Sequence, residues 1–420
     1  MGRTDRDRGP ADHSGMVGPR RARIESRENH SVSTLELFFD LVFVFALTRV
    51  TDLMAEDPTG TTFLRGVLIL CVMWWCWVGY LWLGNVTRPD EGVIRLGVYS
   101  AMAAVFLAAI TIPESFDDFP GGLSGPVVFA FCYFVVRVVH LALYFAFSRD
   151  DAVLHRQLLR WIPSIVLGTA LLLAASQTSG IVQTSLWVTA VVADYVGTAL
   201  SGSGWRLASA AHFGERHGLI IIVALGESIV ATGIGIASAP ISWPIIAAVV
   251  LALMVSAALW WSYFDTSAIV AERALAAADG ARQVVLARNG YTFLHLPMVI
   301  GIIFLSLGLK KVLGYVAGDD DHTLADPLYG LPRYALYGGT ALFLVAHGAF
   351  AWVVARELKR ERFVAALLLV ALIPVAALLP AILTLLLLAV VLVALLGWET
   401  HRYAERRHQI RHAPEGPAGH

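Results

Sequence analysis

A carboxylate in a lipid-facing helix costs about 2.5 to 3.5 kcal/mol on insertion scales, so acids retained there face a protein interior, a wet cavity or a partner charge. The stretch SVSTLELFFDLVFVFALTRV, residues 31 to 50, keeps Glu36 and Asp40 in its first turns. Later apolar segments keep Arg137 and His140, Asp194, Glu227 and His295. Side chains of these types can carry a proton or cation, hold an anionic group, or neutralise one another as buried structural pairs.

Each candidate has a chemical and a structural reading. Ser33 to Glu36 reads STLE, a capping box in which Glu36 reaches back to a free amide at the helix start. Asp40, one turn deeper on the same face, is left without such a role. In HFGERHGLIIIVALGESIVATG, His212, Glu215 and His217 do not share one helical face, so capping and headgroup contact are expected of them, together with Arg216, and no metal site. Glu227 lies ten residues beyond His217, roughly 15 Å along a helix. That depth is near mid-membrane, where an ion pair with Arg137 or a role as proton or cation carrier would explain it. Gly226 and Gly233 beside it would allow close backbone approach or a local break. Arg137 and His140, at i and i+3, could bind an anionic headgroup or phosphate, or neutralise Asp194 and Glu227. Asp265 closes WWSYFD, read as an aromatic belt at a membrane interface or as a ligand wall. His295 precedes Pro297, which would kink its helix and free a carbonyl nearby.

Membrane helices must position these groups. Of 420 residues, 57% are hydrophobic and only 15% charged, against roughly 25% charged in soluble domains. Apolar runs long enough to span a bilayer recur from residue 36 almost to 398. We place spans near 36–54, 62–83, 93–112, 126–147, 158–176, 181–200, 217–236, 243–263, 288–309, 334–353, 363–379 and 381–398, an all-α bundle of about twelve helices. Within 363–398 only Pro374 and Pro380 mark a reversal. Residues 1–30 read as a disordered, arginine-rich tail without a cleavable signal, 31–400 as the membrane domain, and 401–420 as a second tail. Cys71, Cys76 and Cys132 all sit in apolar runs and have no disulfide or zinc spacing.

Every second loop is basic and the alternating ones are acidic or neutral, which puts both termini in the cytoplasm. In that orientation the ionisable residues gather toward one side, as if around a cavity open to the cytoplasm. A faint internal echo also appears. FALTRV followed by MWWCWVGY is answered by VALGESIV followed by LWWSYF, the pattern of a parallel repeat with halves near 31–205 and 206–400.

ELFFDLVFVFAL, HFGERHGLIIIVALGESIV, WWSYF and HLPMVIGI, in that order, closely resemble the motifs of the bacterial low-temperature-requirement A family of polytopic membrane proteins. The resemblance runs from about residue 31 to 400, and its motif positions fall on Glu36, Phe39, Asp40, Glu215, Arg216, Gly218, Gly226, Glu227 and Ser228. It implies a multi-pass protein of the bacterial cytoplasmic (inner) membrane and no particular reaction.

The expected function is therefore transport of a small solute or lipid-like molecule, with an ion as partner. A membrane-embedded enzyme acting on a lipid or isoprenoid is the alternative, with Asp40 and Glu227 as acid and base and Arg137 at an anionic group. A scaffold in which every polar residue is a structural pair is the third reading. No DDxxD-like cluster, GxSxG, HExxH or phosphate loop occurs. The lipid bilayer is the expected partner, with no cofactor and no nucleic acid; oligomeric state is left open.

Overall fold

The computed structural model describes residues 32–148, 151–200, 205, 207–236, 239–318 and 322–412. The amino-terminal tail, the end of the carboxy-terminal one and the loop residues Arg149 and Arg206 lie outside these.

Fifteen helices follow one another among the described residues: α1 Thr34–Glu56, α2 Gly60–Val86, α3 Gly92–Ile110, α4 Gly125–Phe147, α5 Ala152–Ala175, α6 Gly180–Leu200, α7 Ala210–Ile234, α8 Trp243–Phe264, α9 Ser267–Ala276, α10 Gly280–Leu286, α11 Phe293–Ala317, α12 Leu331–Ala355, α13 Arg360–Ala376, α14 Ala381–Arg402 and α15 Ala404–His412. A π-helical turn, Ala287–Thr292, joins α10 to α11. The protein is an all-α polytopic bundle. Nine helical stretches among the described residues are long and apolar enough to cross a membrane. Long helices also occupy the other three expected spans but fall outside that set: Glu36, Asp40, Arg49 and Asp52 interrupt α1, α13 has only 17 residues, and Gln183, Asp194 and several threonines make α6 less apolar.

The helix boundaries follow local chemistry. Ser33 accepts from the Glu36 amide while the Glu36 carboxylate accepts from the Ser33 amide at 2.9 Å, completing the expected capping box. Ser209 caps α7 in the same way through the His212 amide, so that helix starts seven residues before the expected 217. The apolar run 363–398 does reverse at its prolines. Ala381 donates to the Asp326 carbonyl at 3.0 Å, and the Tyr337 hydroxyl donates to the Thr384 carbonyl at 2.8 Å. At the carboxy-terminal end α14 runs on to Arg402 and α15 follows, tied back by Arg407 to Asp265.

α11 and α12 approach most closely. A Cβ added to Gly301 would lie 2.6 Å from the Gly339 carbonyl oxygen, and one added to Gly339 would lie 2.6 Å from that of Gly301. Reciprocal glycines of this kind let two membrane helices pack backbone to backbone. Gly301→Val should therefore lower the stability of detergent-purified protein by about 1–3 kcal/mol in a thermal melt. Gly338→Ala, which meets open space, should leave the melt unchanged.

Candidate functional site

Glu36 and Asp40 turn one face of α1 toward α7. His212 places Nε2 3.0 Å from Glu36 Oε1, and Arg216 Nη1 donates to Asp40 Oδ2 at 2.6 Å while its Nε lies 3.8 Å from Glu36. From α2, Trp77 Nε1 donates to the other Asp40 oxygen at 2.7 Å. All of these side chains are buried. Gly84 of α2 makes the fit, since a Cβ there would collide with Glu36 Oε1. Two expectations change. Asp40 has a structural partner after all, and His212 and His217 lie inside the bundle rather than among headgroups; only Glu215 is exposed.

His217 begins a second feature. Its Nδ1–H donates to the Phe213 carbonyl, and its ring lies 4.8 Å from that of His295. His295 Nδ1–H donates to the Tyr291 carbonyl at 2.9 Å, so its Nε2 accepts from the Tyr263 hydroxyl at 2.8 Å. The Tyr263 ring reaches His347, which accepts from Arg362 Nη1 at 2.8 Å. Arg362 is fixed in turn by Glu399 at 2.7 and 3.0 Å and by the Ser262 carbonyl. The result is a buried polar chain from α7 through α11, α8 and α12 to α13 and α14. In WWSYFD only the tryptophans behave as a belt, half-exposed, whereas Tyr263 is a member of this chain and Asp265 pairs with Arg407.

Arg137, His140 and Asp194 do come together. Arg137 Nη2 lies 3.6 Å from Asp194 Oδ1, the Tyr133 hydroxyl donates to Asp194 Oδ2, and the guanidinium lies 4.4 Å from the Trp161 ring centroid. His140 Nε2–H donates to the Gly79 carbonyl at 2.8 Å. Arg137 and His140 line a cavity of about 40 Å³ whose walls are the indoles of Trp75, Trp82, Trp161 and Trp205, with Arg288 and Thr292 of the π-helical turn completing it.

Glu227 is not the partner of Arg137. Its carboxylate accepts from Thr48 Oγ1 at 2.5 Å, and Gly226 and Gly233 beside it face open space in an unbroken helix. Thr48 lies eight residues beyond Asp40 on α1, roughly 12 Å along the axis. Asp40 and Glu227 therefore do not share one reacting centre. At the same far end Lys310 of α11 meets Asp52 at 2.7 Å, with Arg49 3.7 Å from that carboxylate. The expected single cavity thus resolves into a seam, a polar chain and an indole-walled hollow. Among the described residues no three His, Cys, Asp or Glu side chains gather in a metal-holding group.

Sequence reasoning did not single out Trp77, Thr48, His347, Arg362 or Glu399. Of these, Arg362 and Glu399 were readable only as charges near helix ends, and no local signal paired them.

Leaving Asp40 buried without its cation should cost about 3–5 kcal/mol. Arg216→Gln should lower the melting of detergent-purified protein accordingly. The double variant with Asp40→Asn should be more stable than Arg216→Gln alone, and equal melting of the two would mean that the pair is not coupled.

The bacterial low temperature requirement A protein (LtrA) family model matches residues 31–397. An uncharacterized protein of Rhizobium meliloti (strain 1021) is 28% identical over 342 residues, which cover 77% of each chain. No solved structure matches the chain. With the family model covering most of its length, including every residue of the seam, the hollow and the Glu227 contact, this chain belongs to the bacterial low temperature requirement A (LtrA) family.

Proposed function

We propose that the protein is a carrier in the bacterial cytoplasmic membrane, moving a small solute or lipid-like molecule together with a proton or cation. Helix pairing supports two six-helix halves. The pairs α1–α2, α1–α3, α2–α3, α2–α6, α3–α4, α4–α5 and α5–α6 have counterparts in α7–α8, α7–α11, α8–α11, α8–α14, α11–α12, α12–α13 and α13–α14. Parallel repeats of this kind rock against each other to expose a central site alternately to either side.

The observation that carries the reading is the seam between the counterparts α1 and α7. Its basic-loop end holds the buried Glu36–His212 and Asp40–Arg216 contacts, and its far end holds Thr48–Glu227 beside the half-buried Lys310–Asp52 pair. A seam with separate polar fastenings at its two ends can release one while the other stays closed. Glu227 is the group suited to gain and lose a proton there, because its hydrogen-bond partners among the described residues are the neutral hydroxyls of Thr48 and Thr51 and a buried carboxylate without an ion pair is costly when ionised.

In proteoliposomes loaded with a pH-sensitive dye and given a potassium diffusion potential, the wild-type protein should pass protons faster than protein-free liposomes. Glu227→Gln should melt normally, having no cation to strand, and lose that flux. Flux no greater than in protein-free liposomes, or equal flux from the variant, would sink the proposal. The orientation has its own check: reporters active only in the cytoplasm should be active when fused after residue 410 and silent when fused within 317–326, with periplasmic reporters giving the reverse.

A further inference from the structure

A second cavity, unused by the reading above, opens where the ends of α8, α13 and α14 meet α15. Its volume is about 330 Å³, room for a headgroup-sized ligand. The cavity has an excess of cations whose disposition can be followed one by one. Arg362 is spent on Glu399, Arg407 meets Asp265 at 2.6 Å, and Arg406 is bound to Glu357. That accounts for the three carboxylates of the lining. Arg356 and Lys359 also line it, and among the described residues neither has a carboxylate within salt-bridge distance. Lys359 Nζ has a long contact, 3.3 Å, to the Ser267 hydroxyl. Arg356 holds a left-handed backbone, φ 58°, unusual for a residue with a long side chain. This costs energy yet keeps Arg356 beside the cavity.

Apolar side chains complete the lining. Trp261, Leu358, Leu396 and Ile410 contribute to it, and the half-exposed Trp260, Trp261 and Trp398 stand at the same end of the bundle. Tryptophans so placed mark a membrane–water boundary. A hollow at that level, lined by two cations without a salt-bridge carboxylate and by apolar side chains, matches a phosphate attached to a glycerol. We propose that this cavity binds an anionic phosphate group through Lys359 and Arg356, the shared chemistry of an acidic phospholipid headgroup and of a free glycerol phosphate.

Burial first, and the nearby Arg362 second, hold the Lys359 ammonium down to about 8, against the opposing pull of Glu399, Glu357 and Glu361. Ammonium is the binding form, so affinity should fall as pH rises through that value. A phosphodiester keeps one charge over the same range, which assigns any such fall to the protein.

The experiment titrates detergent-purified full-length protein with short-chain phosphatidylglycerol, short-chain phosphatidylcholine, glycerol phosphate and inorganic phosphate, reading the shift in thermal melting. Phosphatidylglycerol should bind saturably and phosphatidylcholine should not. Lys359→Gln with Arg356→Asn, the latter chosen because asparagine tolerates a positive φ, should weaken phosphatidylglycerol binding at least about tenfold. The ligand-free melt should stay unchanged, as should binding by the control Arg360→Gln, which is exposed and outside the lining. Raising pH from 7 to 9 should weaken wild-type binding and leave the double variant flat. Competition by glycerol phosphate or inorganic phosphate at similar concentrations would identify a free phosphate compound as the occupant; its absence would identify the lipid. Absence of saturable binding by all three phosphates, or equal affinity in wild type and double variant, would overturn the proposal. Should the double variant melt early, Lys359→Gln alone and the pH series decide by the same criteria.

Discussion

Asp40 is a carboxylate enclosed by apolar helices, and the architecture around it follows from meeting its needs. An ionised acid in such a place requires both an opposite charge and hydrogen bonds to its remaining lone pairs. Arg216 of α7 supplies the first and Trp77 of α2 adds to the second. Because either partner would be costly to lose, α1, α2 and α7 are fixed in distance and in rotation at this level. Trp77 then meets the His217 ring edge-on at 5.6 Å, and His217 leads to His295 and the chain ending at Glu399. Each member of that chain is held by a specific donor or acceptor, so the polar layer orders the second half of the bundle as well as the first.

The two ends of the α1–α7 seam are unequal in strength. At the basic-loop end the charged groups are withdrawn from solvent, where breaking a pair strands a charge and costs several kcal/mol. At the other end the Lys310–Asp52 pair is partly exposed, a setting in which ion pairs contribute about 0–1 kcal/mol. Glu227 adds a short bond to Thr48 but, among the described residues, no ion pair. The physical expectation is a seam that yields first at the Glu227 end.

What could be read in the sequence was depth, and what could not was direction around each helix. Hydrophobic runs located the long helices to within a few residues in most cases, and Pro374 and Pro380 marked a true reversal. Residues 264–287 were left between two expected spans, yet they hold α9 and α10, and the π-helical turn occupies the start of the span expected from 288. Among the site residues, Arg137, His140 and Asp194 were correctly grouped by level. The pairing of Arg137 with Glu227 failed for the same reason that the grouping worked: the rise of 1.5 Å per residue fixes height, but nothing local says which neighbouring helix a side chain faces. Asp40 had no visible partner in its own segment since Arg216 lies 176 residues away.

The same limit hides the role of the tryptophans in α2, the most enclosed of the nine apolar stretches. In one dimension MWWCWVGY looks like LWWSYF, and both look like interfacial anchors. Trp74, Trp75 and Trp77 are instead core residues, and three of the four indole N–H groups of the helix are distributed among its neighbours. Trp77 donates to Asp40, Trp74 to the Thr292 carbonyl and Trp82 to the Thr292 hydroxyl. Thr292 ends the π-helical turn, and turns of this kind recur at functional sites. One rigid helix therefore fixes both the ion pair of the seam and the turn that closes the indole-walled hollow. A displacement of α7 that disturbed Asp40 would be felt through Trp77 in the same helix that holds Thr292, which gives the seam and the hollow a direct mechanical connection.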